Sequence, residues 1–210
     1  MVKTNKNKSS SNVKGSTAMG YRNAQTPPQV KNVGHSVVIR HREMIRQVAS
    51  QQGFNVASAR INPADPLSFP WLSGIAQRYE RYKFKKLQFQ LVPQVPTTVS
   101  GSNGIYFDYD PTDGPAPNAT QFFSNMNAVT SQIWMESHMS TITQTEPKFC
   151  LAIEGAENRK WYDYGVVFYF MQAPAPTPNF GQTAYLFVEY EIELMQPASL
   201  PMVLTVRLPR

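Results

Sequence analysis

The chain has 210 residues, with 17 prolines, 10 tyrosines and 16% charged residues, which suits one sizeable core plus an appendage and favours an all-β protein rich in turns. A lone Cys150 excludes an intrachain disulfide and fits a reducing compartment, and the longest apolar run, Tyr164 to Met171, is too short to cross a bilayer. The net charge of +6 is unevenly placed: residues 1–42 hold eight bases and no acid, leaving a slightly acidic remainder, so a polyanion partner is indicated for the N-terminal part alone.

From Met1 to about Gly34 the residues are Lys, Asn, Ser, Gln, Thr, Gly and Pro, with almost no large apolar side chains. Such a segment cannot bury enough surface to offset its ordering entropy, so residues 1–34 are predicted to be a disordered basic arm. Fully extended, it reaches roughly 110 Å. The N-terminus shows no apolar stretch of the signal-peptide kind. The sequons at Asn7 and Asn118 are therefore read as accidental.

Order is predicted from Ser36, where Ser36-Val37-Val38-Ile39 begins a first strand continuing through Arg46. Phe54 to Ile61 alternates as a half-buried strand does, and Asn62-Pro63-Ala64-Asp65-Pro66 then breaks the chain. Ser68 is positioned to cap a short helix carrying Leu72, Ile75, Ala76 and Tyr79. Phe84 to Val92 is a third strand, with Leu87, Phe89 and Leu91 on one face and Gln88 and Gln90 on the other. Gly104 to Tyr109 is a fourth, and Asn118 to Asn127 a second short helix. Weaker strands fall within 130–143 and at 148–153. Two strong ones follow at Gly165–Met171 and Thr183–Leu194; in the latter, Leu186, Val188, Tyr190, Ile192 and Leu194 oppose Glu189, Glu191 and Glu193. Residues 198–210 read as a C-terminal extension or edge strand. About eight strands without βαβ alternation predict a sandwich or jelly roll over residues 35–197.

Three features carry chemistry. The arm bases Lys3, Lys6, Lys8, Lys14, Arg22, Lys31, Arg40 and Arg42 suit phosphate neutralisation without sequence specificity; composition alone equally allows a solubilising tail or a nuclear-import signal. Arg78, Arg81, Lys83, Lys85 and Lys86 form a second basic group, as readily a solvated surface as a contact. In Asp108-Tyr109-Asp110-Pro111-Thr112-Asp113 the turn brings three carboxylates near one another, and such a group repels unless a hard cation joins it. Ordinary Asp-Pro and Asp-Gly turn chemistry explains the same residues and, on the residues alone, is the favoured reading. His35, His41 and His138 lack zinc spacing, and neither a nucleophile elbow nor a phosphate-cradling glycine loop occurs. No enzyme is indicated. Trp71, Trp134 and Trp161 read as core and interface anchors.

The ordered series Phe69-Pro70-Trp71-Leu72-Ser73-Gly74-Ile75-Ala76, Tyr82-Lys83-Phe84, Leu87-Gln88-Phe89, Val92-Pro93, Pro96-Thr97-Thr98, Gly101 and Ile105 to Asp113 resembles the shell domain of tombusvirus, carmovirus and sobemovirus coat proteins. His41-Arg42-Glu43, Asp163-Tyr164-Gly165 and Val188 to Leu194 agree with it. The chain length also resembles that of ourmiavirus coat proteins, and the stretch after residue 197 is shorter than a tombusvirus-type projecting domain.

The resemblance implies an eight-stranded single jelly roll that self-assembles into a virion shell, with the arm binding packaged single-stranded RNA and no membrane partner. It further implies calcium at the subunit interface on Asp108, Asp110 and Asp113, with the facing subunit's ligands unidentified. Residence in the virion and the host cytoplasm follows, with nuclear or nucleolar passage through the arm as an extension. The runner-up is a calcium-dependent carbohydrate-binding jelly roll; a two-metal nuclease on the same aspartates ranks third.

Overall fold

A computed structural model describes residues 27–151, 158–174 and 183–198. In chain order the strands are β1 (Gln29–Val33), β2 (Ser36–Ala49), β3 (Ala57–Ile61), β4 (Tyr79–Gln94), β5 (Ser102–Asp108), β6 (Val129–Gln132), β7 (Ser137–Ser140), β8 (Lys148–Phe149), β9 (Gly165–Gln172) and β10 (Thr183–Pro197). Among the described residues three short helices join them: α1 (Ser73–Ala76), α2 (Ala119–Ser124) and α3 (Arg159–Tyr162).

One sheet runs β1-β2-β10-β4-β7, with β8 also on β4, and the other runs β3-β9-β5-β6. Setting aside β1 and β8 leaves eight strands with nested antiparallel pairing. The first pairs with the eighth (β2 with β10), the second with the seventh (β3 with β9), the third with the sixth (β4 with β7) and the fourth with the fifth (β5 with β6). That nesting is a long hairpin folded over itself into two sheets, the predicted jelly roll.

Period-two patterning puts the core between the sheets. Leu186, Val188, Tyr190, Ile192 and Leu194 of β10 are all 0% exposed, lying beside Leu87, Phe89 and Leu91 of the neighbouring β4 and sharing the core with Ile61, Val167 and Tyr169 of the other sheet. Burying each such side chain is worth roughly 1.5–3 kcal/mol. The apolar run in β9 has a further reason. Val167, Tyr169 and Met171 enter this core, while Val166, Phe168 and Phe170 join Tyr106 and Phe122 in a second cluster under α2. Both faces of β9 are covered, so its sequence is apolar throughout.

Four expectations change. The arm boundary at residue 34 moves: β1 pairs with β2 from Gln29↔Arg40 to Val33↔Ser36. Gly34, with φ +60°, takes the first turn position of this two-residue hairpin, where a type II′ turn favours glycine. Its five residues are all exposed, so β1 is held by backbone pairing that composition does not reveal. Residues 1–26 of the predicted arm lie outside the described residues, as does the segment from 199 onward.

Ser68 does not cap a helix. Its hydroxyl donates to the Arg60 carbonyl and to Asp65, and α1 starts later, after Leu72. Asn118 does cap α2, accepting from Gln121 N at 2.9 Å. Helix α3 is an element that the hydrophobic pattern missed. Finally, the tryptophans are surface residues, Trp161 being 63% exposed and Trp71 and Trp134 each 37%; of the two predicted roles, only that of interface anchor is compatible with this placement.

Candidate metal turn and basic sheet face

Strand β5 ends at Asp108 and delivers the Asp108–Asp113 turn to the molecular surface. The carboxylates first serve the turn itself. Asp108 Oδ1 accepts from Asp110 N at 2.9 Å, and Asp110 Oδ1 accepts from Thr112 N at 3.0 Å and Thr112 Oγ1 at 2.6 Å. Asp113 N donates to the Asp110 carbonyl at 3.2 Å.

The second oxygen of Asp110 receives Lys160 Nζ at 2.6 Å. The Lys160 hydrogen bond, followed by those from Thr112, holds the Asp110 carboxyl down to about 2; Asp110 and, at longer range, Asp113 raise Lys160 in turn. Among the described residues no three His, Cys, Asp or Glu side chains converge as a metal set. The calcium expectation on Asp108, Asp110 and Asp113 therefore does not fit this geometry. Both Asp110 oxygens have donors, and an ammonium stands where a cation would bind. The carbohydrate-binding and nuclease alternatives relied on metal at the same carboxylates, and no observation supports either. Lys160 escaped the sequence reading because it lies fifty positions away on the unforeseen α3.

The predicted RNA-binding residues divide. Lys3, Lys6, Lys8, Lys14 and Arg22 lie outside the described residues. Lys31 is exposed on β1. Arg40 and Arg42 belong to the folded sheet: Arg40 meets Glu189 at 3.1 Å, while Arg42 donates to Gln90 Oε1 at 2.8 Å and lies 4.0 Å over the Phe187 ring.

From the other side, Lys86 reaches Glu189 at 3.0 Å and Lys85 reaches Glu193 at 3.1 Å. The β10 glutamates thus run between the bases of β2 and β4. Burial raises the Glu189 carboxyl, but hydrogen bonds from Lys86 and Arg40 overcome it and leave a net lowering. Arg81 lies 5.0 Å over Phe149. Of this second basic group, Arg81, Lys83, Lys85 and Lys86 lie on β4, where Lys85 and Lys86 are neutralised by glutamate, while Arg78 precedes the strand.

Two buried carboxylates explain segments that the sequence singled out without assigning them a task. Glu43, 5% exposed, accepts from Trp71 N at 2.6 Å, Leu72 N at 3.2 Å and Tyr190 Oη at 2.5 Å. It ties the Phe69–Leu72 segment to the large sheet, satisfying amide donors at the start of α1. Asp163, fully buried, accepts from Arg60 Nε at 2.7 Å and Nη2 at 3.1 Å, and from Asn62 Nδ2 at 3.0 Å. It locks the end of β3 to the entry of β9.

The sequence matches the profile of the family described as viral coat protein (S domain) over residues 12–200. It is 33% identical over 184 residues to the capsid protein of Oat chlorotic stunt virus, covering 83% of this chain and 40% of that one. With the capsid protein of Pothos latent virus it is 32% identical over 183 residues, covering 84% and 48% respectively. The chain thus spans less than half the length of these relatives, each a capsid protein and so structural rather than enzymatic.

In fold it resembles the crystal structure of Cucumber Necrosis Virus, with a TM-score of 0.76 and 24% identity over 84% of this chain and 56% of that one. It likewise resembles Tobacco Necrosis Virus, with a TM-score of 0.73 and 17% identity over 82% and 88%. Motif series, nested strand order and family match converge: the chain belongs to the viral coat protein (S domain) family.

Proposed function

We propose that copies of this chain assemble into a virion shell and that its N-terminal bases gather single-stranded RNA. The observation that carries the shell reading is the nested eight-strand sandwich in a chain of this family. The surface supports it: Trp134, Met135, Ile142, Phe149 and Trp161 are large apolar side chains left exposed on one subunit, and such residues anchor protein contacts.

For RNA, the support is the partition of charge. Lys3, Lys6, Lys8, Lys14, Arg22 and Lys31 precede the first acid of the chain, whereas several sheet bases are already opposed by glutamate. The reading places the chain in the virion and, before assembly, in the host cytoplasm. Electron microscopy of purified protein with and without RNA tests it: closed particles are expected, and monomers under both conditions refute the shell reading.

A further inference from the structure

We propose that Lys160 is a tethered counter-ion for the Asp108–Asp113 turn, so that contacts made by this turn need no divalent cation. The inference rests on the shell reading above and concerns how its subunit contacts are controlled. Three observations lead to it.

First, the ammonium occupies the charge position. Lys160 Nζ lies 2.6 Å from Asp110 Oδ2, the carboxylate oxygen that Thr112 leaves open. A divalent ion binding there must displace a covalently attached cation already at contact distance.

Second, the backbone that carries the lysine is held in place. It sits on α3, whose backbone turns through Asn158 at φ +72° and closes with Trp161 N to the Asn158 carbonyl at 2.9 Å and Asp163 N to the Arg159 carbonyl at 2.8 Å. Lys148 Nζ donates to the Lys160 carbonyl at 2.6 Å, clamping the same residue from β8. Asp163, which follows the helix, is locked by Arg60 and Asn62. The tether is thus anchored to the core at one end and to a second strand in the middle.

Third, the surroundings are those of a contact. Trp161 on α3 and Phe149 on β8 are exposed, and Ile142 is 67% exposed while its backbone N donates to Tyr109 Oη at 2.9 Å, next to the aspartates. In an isolated subunit the pair is open to water, with Lys160 62% and Asp110 36% exposed, and such a pair is weak. Covering it with a neighbouring copy excludes water. An unbalanced carboxylate there then becomes costly, while a balanced one does not. A lysine that travels with the chain supplies this balance at any calcium concentration.

The test compares wild-type and Lys160→Gln particles, assembled with RNA at mildly alkaline pH, by sedimentation and electron microscopy. Each is measured with chelator and with about 1 mM Ca²⁺, within the range of weak oxygen-ligand sites. Wild-type particles are expected to keep their radius and sedimentation coefficient in chelator. Lys160→Gln particles are expected to swell or fall apart in chelator and to recover with Ca²⁺.

Wild-type particles that swell in chelator and contract with Ca²⁺ overturn the proposal; so does a Lys160→Gln particle as indifferent to chelator as the wild type. If Lys160→Gln assembles under neither condition, the double variant Lys160→Gln/Asp110→Asn removes the carboxylate as well. Restored assembly supports the counter-ion role, and continued failure overturns it. Absence of wild-type particles altogether defeats the shell reading itself, a result distinct from particles that form and then respond to chelator.

Discussion

Two carboxylates fifty-three positions apart show how position decides the worth of a charge. Asp163 is fully buried and meets Arg60 in a two-bonded fork with Asn62 beside it. Removing one partner strands the other's charge, so Asp163→Ala is expected to cost about 3–5 kcal/mol, read as a lowered urea midpoint. Asp110 is open to solvent, and its bond to Lys160 governs titration more than stability. Its carboxyl sits below the ordinary range at about 2. The pair's contribution is therefore complete above the unfolded carboxyl's pKa and fades as pH falls through about 2. A carbon-detected NMR titration should find Asp110 still ionised where other carboxyls protonate, and Lys160→Gln should return it towards the ordinary value. The acidic motif itself was legible in sequence. Its partner was not, because an ion pair between a turn and a distant four-residue helix leaves no local periodicity.

At the scale of elements, alternation located most strands, and one break in it was informative. Phe84 and Leu87 are both buried although two residues separate them. Strict period two forbids that, and the register supplies the reason: Ile192 pairs with Phe84 and Glu191 with Lys86, leaving Lys85 as the extra residue of a bulge. The bulge lets Lys85 and Lys86 engage Glu193 and Glu189 respectively.

Gly165 marks a tighter constraint where β9 passes the end of β5. A Cβ there would lie 2.2 Å from the Asp108 carbonyl oxygen and 2.5 Å from the Phe107 ring. Neither neighbour can easily yield, since one is backbone and the other is buried. Gly165→Ala is therefore expected to destabilise the domain by at least about 1–3 kcal/mol, the usual cost of overpacking. Differential scanning fluorimetry should show the loss, whereas Gly114→Ala, with open space around it, should show little.

For the whole molecule, the division between arm and shell falls earlier than composition suggests, with a consequence for truncation. Deleting residues 1–26 removes Lys3, Lys6, Lys8, Lys14 and Arg22 but leaves β1 on the sheet. The domain should keep its melting temperature while the logarithmic salt slope for single-stranded RNA shrinks by about 3.5, at roughly 0.7 per charge. Deleting residues 1–35 also strips β1 from β2 and bares an edge, so aggregation is expected by light scattering. Replacing Arg40 and Arg42 with Gln should leave the salt slope nearly unchanged, because both side chains are engaged on the sheet. An unchanged slope after loss of residues 1–26 would contradict the arm's role in RNA binding.

Taken alone, the sequence determined the all-β class, the strands whose alternation is strong, the basic N-terminal stretch and the aspartate turn. These are local properties, written in side-chain period, turn residues and charge. Tertiary structure decided the rest: that β1 belongs to the shell domain, that Arg40 and Arg42 sit on a glutamate-lined sheet, and that Lys160 reaches Asp110. Each depends on pairing between positions far apart in the chain. Backbone ladders and long-range ion pairs are fixed by topology, which neighbouring residues do not encode by themselves.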